Sequence, residues 1–412
     1  MSKKNILFIS YDGMTDPLGQ SQVIPYLKGL SKKGYSIFLL SCEKKIAYNQ
    51  NKEGVEKLLS GFDIKWFPIR YSKRPPVVST LWDIMMLKAE AKKIHLKYGM
   101  KMVHTRPGIP ALIGLWMKQK FGIKFLNDIR EFYADSRVEG GMWNINKKFY
   151  RIIYEYFKRK EDKAVKLNDG IVCLTYAAEK IITGWPAYKG SIPLEVIPCS
   201  VDLILFDPEQ LNAQLKAKFK TELGISDEDI IISYLGSVGG WYLTDEMLEF
   251  CKLISDKIPS AKFLFISPHK HEIILEMAHK WGIAPGRIIV KHGKRDEIPV
   301  LLSFSKYSFF FIKQCYSKMS SSPTKHGEIM AMGIPVITNG GVGDVAEIVK
   351  KYNGGILLKD FDENSYLAAL DTIVHGNGYS QSEIRQGACE FYSLDNAIEK
   401  YSGLYGKILD AC

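Results

Sequence analysis

No apolar run in this chain is long enough to cross a bilayer: "IIISYL" and "SFFFI" fall far short of the roughly 20 residues a spanning helix needs. The opening "MSKKNILFISYDGM" sets basic residues before a short apolar run of strand length, with no small-residue cleavage site after it, so no signal peptide is expected. Disulfide frameworks and zinc sites are equally unsupported. The seven cysteines (42, 173, 199, 251, 315, 389 and 412) are odd in number, scattered and without a C-x-x-C pair, which fits a reducing cytoplasm. No D-x-D triplet ends a strand-like run; "SDEDI" (226–230) precedes one and reads as a solvated turn, so no metal is implied. Internal repeats and low-complexity tracts are also missing.

What is present is a lopsided charge. Residues 1–205 hold 34 Lys and Arg against 19 Asp and Glu, while the remainder holds 22 against 26. The N-terminal half therefore either meets an anionic partner or carries a Lys-rich solubilising surface. Apolar strand-like runs alternate with amphipathic helical ones: "NILFIS", "SIFLLS", "IKWFPI", "MVHT", "KFLNDI", "GIVCLT" and "LEVIPCSV", then, after a polar break at about 200–228, "DIIISYLG", "AKFLFISP", "RIIVKH", "YSFFFIK" and "IPVIT". Strands apolar on both faces with helices between them predict parallel sheets. The fold class expected is α/β, with two Rossmann-like doubly wound domains, 1–200 and 201–390, facing a central cleft, and a helix at 391–412 packing back towards the first.

Residues 320–344, "SSSPTKHGEIMAMGIPVITNGGVGD", concentrate chemistry. Pro323 after Ser322 reads as the first helical residue after a cap, and Gly333 with Pro335 closes the helix. Thr324, Lys325 and Glu328 share a face near its positive end, suited to a diphosphate and to a sugar or ribose diol. Gly340, Gly341 and Gly343 in "NGGVGD" let backbone approach a ligand, and Asp344 with Glu347 resembles a capping box. Otherwise these are a solvated helix and a tight turn.

"PTKHGEIMAMGIPVI" resembles the "P-x-K-x-x-E-x-M-A-x-G-x-P-V-I" stretch of the GT-B glycosyltransferases of family 4, retaining enzymes that use sugar nucleotides in polysaccharide and glycolipid assembly. "DPLGQSQ", "VIPCSVDLILF" and "YLGSVGGWYLTDEML" resemble that family's first glycine-bearing loop, its hinge motif and its "Y-x-G-x-x-x-x-x-K-G" segment. The resemblance implies that Glu328 binds the donor ribose, that Lys325 and the N–H groups of Ser321, Ser322, Pro323's neighbour Thr324 and their surroundings hold the phosphates, and that Gly341, Val342, Gly343 and Asp344 face the diphosphate and sugar. Three departures stand out. Ser320 occupies the place of a first glutamate, Ser237, Gly239 and Gly240 replace a basic pair after Gly236, and Cys199 and Ser200 replace Asn-Gly. Lys313, Lys318 and Lys325 are the nearest substitutes for the missing basic pair.

"FLNDIREFYADSRVEGGMW" (125–143) resembles a stretch of family members that build surface glycans. Asp128 and Glu131 are candidates to orient or deprotonate an acceptor hydroxyl, and Arg130 to hold a phosphate or anionic sugar; otherwise the charges form an ion-pair network tethering a loop. Gly19, Gln20, His104, Arg106 and Arg137 complete the candidate acceptor set. The helix at 146–166 has an apolar side and seven basic residues from Lys147 to Lys163. It either lies on an anionic membrane surface, which suits a polyprenyl-linked acceptor, or shows a solvated basic face. Nucleic acid lacks a supporting motif.

The reading carried forward is a cytoplasmic, metal-independent retaining hexosyl- or N-acetylhexosaminyltransferase. It takes a nucleotide-diphosphate sugar, UDP-linked, as substrate without a cofactor, and serves surface polysaccharide synthesis, peripherally at the inner face of the cell membrane. The alternatives are a sugar-nucleotide 2-epimerase, a non-catalytic sugar-nucleotide binder, and an NAD(P)-dependent oxidoreductase suggested by the G-x-G-x-x-A spelling of "GVGDVA" (341–346).

Overall fold

The computed structural model describes residues 4–410 apart from 76, 269, 270 and 377; Cys412, counted above, lies outside them. The chain divides into two compact units, one of residues up to Pro198 with those from Leu394 onward, the other Cys199–Ser393.

Unit 1 is built on a seven-stranded sheet. Its strands are β1 (Lys4–Ser10), β2 (Tyr35–Glu43), β3 (Ile64–Arg70), β4 (Met102–Thr105), β5 (Lys124–Ile129), β6 (Gly170–Cys173) and β7 (Leu194–Val196), in the spatial order 3-2-1-4-5-6-7. Every neighbouring pair is parallel. Alternate residues of β1 feed different cores. Ile6 and Phe8 join the helix Ile24–Lys32 and the helix Leu394–Asp410 on one side, while Leu7 and Ile9 join the helices Val78–Tyr98, Ile109–Phe121 and Lys148–Leu167 on the other. Burial of both faces is why the strands are written as unbroken apolar runs.

Unit 2 repeats the plan with β8 (Ile230–Leu235), β9 (Ala261–Ile266), β10 (Ile288–Lys291), β11 (Tyr307–Phe310), β12 (Val336–Asn339) and β13 (Gly355–Leu358), ordered 10-9-8-11-12-13 and parallel throughout. Both units are thus Rossmann-like, as the alternation predicts. Several elements differ from the sequence expectation. β13 begins at a glycine pair and was not anticipated; the polar stretch 200–228 contains the helix Ala213–Glu222; and the helix between β10 and β11 is confined to Ile298–Leu302. Among the described residues no helix is long and apolar enough to cross a membrane.

Candidate active site

In unit 2 the chain runs from β8 out to β9 and β10, then returns to β11 on the other side of β8. Such a reversal opens a crevice beyond the carboxyl ends of the strands, where ligands of open parallel sheets bind. Three loops meet there, at 236–243, 311–323 and 340–344, and backbone bonds join them. Lys313 N–H donates to the Trp241 carbonyl (2.9 Å), Leu243 N–H to Phe311 (3.1 Å) and Gly343 N–H to Lys318 (2.9 Å). The buried Asn339 amide clamps Ile312 twice, donating to its carbonyl and accepting from its N–H, each at 2.9 Å.

Lys325 enters this frame from the helix Thr324–Ala331. Its ammonium lies 3.9 Å from the Tyr242 ring centre and 4.3 Å from that of Tyr234, and it donates to the Tyr234 hydroxyl at 3.2 Å. The Tyr234 hydroxyl donates in turn to the Ser237 carbonyl. The side chain is buried, and no ion pair reaches it among the described residues. Burial pulls its pKa down to about 7, with the nearby Glu328 charge acting the other way. Gly236, at φ 124°, sits against it: a Cβ there would lie 2.8 Å from the Lys325 nitrogen. The lysines proposed to replace the missing basic pair therefore converge through aromatic rings, since Lys318 stacks on Trp241 at 3.7 Å while Lys325 rests on Tyr242. A desolvated cation over a ring gains about 2 kcal/mol.

Glu328, also buried, pairs with Arg295, whose guanidinium carbon lies 4.7 Å from the Phe206 ring centre. Arg295 follows β10 in "GKRDE", and no local pattern marked it. Several expectations need correction. The helix starts at Thr324 with Pro323 in the cap position. Ser321 N–H is spent on the Lys318 carbonyl, and Gly343 N–H on the same oxygen, so neither is open to phosphate. Asp344 precedes the helix Val345–Lys351 but makes no side-chain cap bond to it. Ser320, in the place of the glutamate, is fully buried with its hydroxyl donating to the Ser317 carbonyl, and Ser322 accepts from Cys199 N–H. Lys313 and Ser237 are exposed, and Val342 is buried.

In unit 1 the loop after β1 is held by a residue the sequence reading passed over. The buried Glu43 carboxylate, at the end of β2, accepts from Met14 N–H (2.8 Å), Thr15 N–H (3.2 Å), the Thr15 hydroxyl (2.6 Å) and the Ser41 hydroxyl (2.6 Å). Gly19 is obligatory there, since a Cβ would collide with the Gly13 carbonyl, and Gln20 is exposed. Arg106 donates to the Gln22 carbonyl (3.3 Å) and lies 3.6 Å from the Asp12 carboxylate. Replacing Glu43 with alanine leaves buried donors unpaired, at a cost of about 2–4 kcal/mol. A melting temperature lower by roughly 5–15 °C is expected; an unchanged melting curve counts against the clamp.

His104 and Asp128, expected to reach an acceptor, lie in the interior of unit 1. Asp128 accepts from the Tyr401 hydroxyl (2.8 Å) and lies 3.4 Å from both His104 and Arg130; His104 contacts the Tyr405 hydroxyl at 2.6 Å. Arg130 also donates to Tyr401 (3.2 Å). Both tyrosines come from the helix Leu394–Asp410, whose buried face packs with Ile6, Phe8, Met102 and Leu126 of the sheet. Glu131 belongs to another network: it accepts from Arg137 (3.2 Å) and the Ser136 hydroxyl (2.9 Å), while Arg137 stacks on Tyr133 at 4.3 Å. Asp128 and Glu131 thus hold different partners. Glu131 and Arg137 are partly exposed at the end of β5. Among the described residues no three His, Cys, Asp or Glu side chains gather to hold a metal ion.

Two all-parallel Rossmann-like units, the second with its loops gathered at a strand-order reversal, define the GT-B class of fold. Solved structures share it across the whole chain. Sucrose-phosphate synthase from Thermosynechococcus elongatus superposes with a TM-score of 0.77 at 14% identity, covering 100% of both chains. A glycosyltransferase from Rickettsia africae gives 0.72 at 17%, again covering 100% of both. HepE from Anabaena, solved in complex with UDP and glucose, gives 0.68 at 11%, covering 97% of this chain and 98% of its own. Residues 216–388 match the model of the family described as Glycosyl transferases group 1. The matched residues include the "GVGDVA" spelling, which follows β12 instead of the first strand of a dinucleotide-binding unit. No curated protein sequence matches the chain.

Proposed function

We propose that the protein is a retaining glycosyltransferase that moves a hexosyl or N-acetylhexosaminyl group from a UDP-sugar to a glycan or polyprenyl-linked acceptor in surface polysaccharide assembly. The observation that carries this reading is Lys325, a buried lysine that no ion pair reaches among the described residues, at the carboxyl ends of β8 and β11. A desolvated ammonium needs an anion, and a leaving diphosphate supplies one. Glu328, three residues further along the same helix, accepts hydrogen bonds from the ribose diol, with Arg295 orienting its carboxylate. UDP as the carrier is supported by HepE, whose structures hold UDP and UDP-glucose.

As the glycosidic bond breaks, Lys325 and the first N–H groups of its helix take up the charge forming on the diphosphate, while the acceptor hydroxyl attacks from the same face. Glu131 and Arg137 are the proposed acceptor-side groups. No metal is assigned to this step. A thermal-shift panel of UDP-, GDP-, ADP-, dTDP- and CMP-sugars tests the donor, because a ligand bound only by the folded state raises the melting temperature. UDP-sugars are expected to give the largest shift, and the product anomer to match the donor's. A preference for another base, an inverted anomer, or an altered free sugar with UDP released in the absence of acceptor would each replace this reading.

A further inference from the structure

A trough runs along the free edge of the unit 1 sheet, between β3 and the helix Lys45–Leu59. Its two parts meet at Tyr48 and Pro68. One, of about 490 Å³, passes Trp66 to reach Phe62; the other, of about 260 Å³, lies at the carboxyl end of the strand beside Lys45 and Arg70. The seven residues of β3 give the trough a length of about 20 Å.

The edge itself resists another strand. Ile37 N–H donates to the Asp63 carbonyl and Tyr71 N–H to that of Glu43, so odd-numbered residues turn their backbone to β2 and even-numbered ones turn it outward. Pro68 is one of the outward residues and has no N–H to give, which disfavours an extended peptide as occupant. The side chains offer different chemistry. The half-buried rings of Tyr48 and Trp66 lie 5.8 Å apart, inclined at 54°, and Phe62 follows them. Trp66 is fixed by its N–H, which donates to the Ser41 hydroxyl at 2.8 Å. Asn49 and Ser60 add an amide and a hydroxyl at the margins. Ring faces bordered by hydrogen-bonding groups suit a sugar ring, which is apolar on its C–H face and polar at its hydroxyl rim.

Charge narrows the class further. Lys28 and Lys32 stand 4.9 and 5.8 Å from the Phe62 ring centre at one end, and Lys45 and Arg70 flank the other. None of these four makes an ion pair among the described residues, while their neighbours Lys33, Lys44 and Lys52 do. Of the two acids that line the trough, Glu56 pairs with Lys52 at 3.6 Å, and Glu43 is buried and spent on Met14, Thr15 and Ser41.

We propose that this trough binds an anionic oligosaccharide, its sugar rings resting on Tyr48, Trp66 and Phe62 and its carboxylate or phosphate groups meeting Lys45, Arg70 and the lysines at Phe62. Occupancy reaches the loop after β1 by two routes. The Ser41 hydroxyl that accepts from Trp66 donates to Glu43, the clamp of that loop, and Asn51 of the helix donates to the Thr15 carbonyl at 3.2 Å. A saccharide in the trough thus braces the loop that carries Gly19 and acts as a remote hold on a glycan being extended. That consequence rests on the function proposed above, whereas the binding itself does not.

The test is calorimetry of the full chain with three probes: a hexamer of galacturonic acid, maltohexaose as its neutral counterpart, and a hexaglutamate peptide carrying the same charge without sugar rings. The galacturonate hexamer should bind at least about fivefold tighter than maltohexaose, with a preference that shrinks as salt rises, and the peptide should not bind. Tyr48→Leu and Trp66→Leu should each weaken the galacturonate hexamer about two- to tenfold. Lys45→Glu with Arg70→Glu should remove the preference for the charged sugar, and Lys57→Glu, on the same helix but outside the trough, should change little. Should Trp66→Leu melt early, Tyr48→Leu must still show its loss with a wild-type melting curve. Any of four results would overturn the proposal: no binding of either saccharide, maltohexaose or the peptide bound as tightly as the galacturonate hexamer, unaffected ring variants, or a wild-type dimer that Tyr48→Leu turns into a monomer. The last would assign the trough to a second copy of the chain. UDP-induced thermal shifts should survive in every variant, so failure here is distinguishable from failure of the donor site.

Discussion

Replacing Lys325 with methionine should weaken UDP binding by roughly 10- to 150-fold, the equivalent of about 1.5–3 kcal/mol for a lost hydrogen bond to a charged group, while making the free protein more stable. The two effects have one origin. The ammonium is desolvated among Tyr234 and Tyr242, the nearby Glu328 charge offsets only part of the cost, and methionine fills a similar volume without charge. Burial lowers the lysine pKa to about 7, against about 10.4 in the unfolded chain. Between those values the unfolded state binds more protons, so wild-type stability should rise with pH across this window, the burial penalty being complete below about 7. The advantage of Lys325→Met should therefore be largest below pH 7 and close towards pH 10. A bound diphosphate favours the charged form, so binding at pH 8 should take up a proton. Calorimetry in buffers of different ionisation enthalpy reads this uptake directly; uptake that persists in the variant would sink the assignment.

Asp128→Ala should be the most destabilising single change in unit 1. It strands Arg130 and the Tyr401 hydroxyl in the interior, at a cost of about 3–5 kcal/mol for breaking a buried pair. At roughly 2–4 °C per kcal/mol, the melting temperature should fall by about 6–20 °C. Burial pushes the Asp128 pKa up, but the Arg130 charge, the His104 hydrogen bond and the Arg106 charge outweigh it and hold the pKa at about 2. Its contribution should thus be present above about pH 4 and be lost as pH falls towards 2. Wild-type melting with abolished turnover in this variant would return Asp128 to the chemistry and remove it from the framework.

The two outcomes show what kind of information a sequence carries. Strands buried on both faces spell themselves as apolar runs, and the start of the helix Thr324–Ala331 is spelled by Pro323 and its serines, so Lys325 and Glu328 were legible. β13 was not, because Gly354 and Gly355 read as a turn, and neither was Ala213–Glu222, whose "AQLKAKFKTE" has hardly any apolar stripe. Arg295, Glu43 and the Trp241–Tyr242 pair act across space on residues far along the chain, and only the fold brings them in. His104 and Asp128 lie near the ends of their strands as residues facing a ligand would, yet Tyr405 and Tyr401, 301 and 273 residues later, cover them.

That distance also orders events during synthesis. The tyrosines that satisfy Asp128 and His104 sit on Leu394–Asp410, so unit 1 cannot close its interior until the ribosome has passed through all of unit 2. Domains generally fold as they emerge, first segment first. Here the later unit can be finished while the earlier one still waits, its strand ends wet and its sheet half covered, for the last helix to arrive.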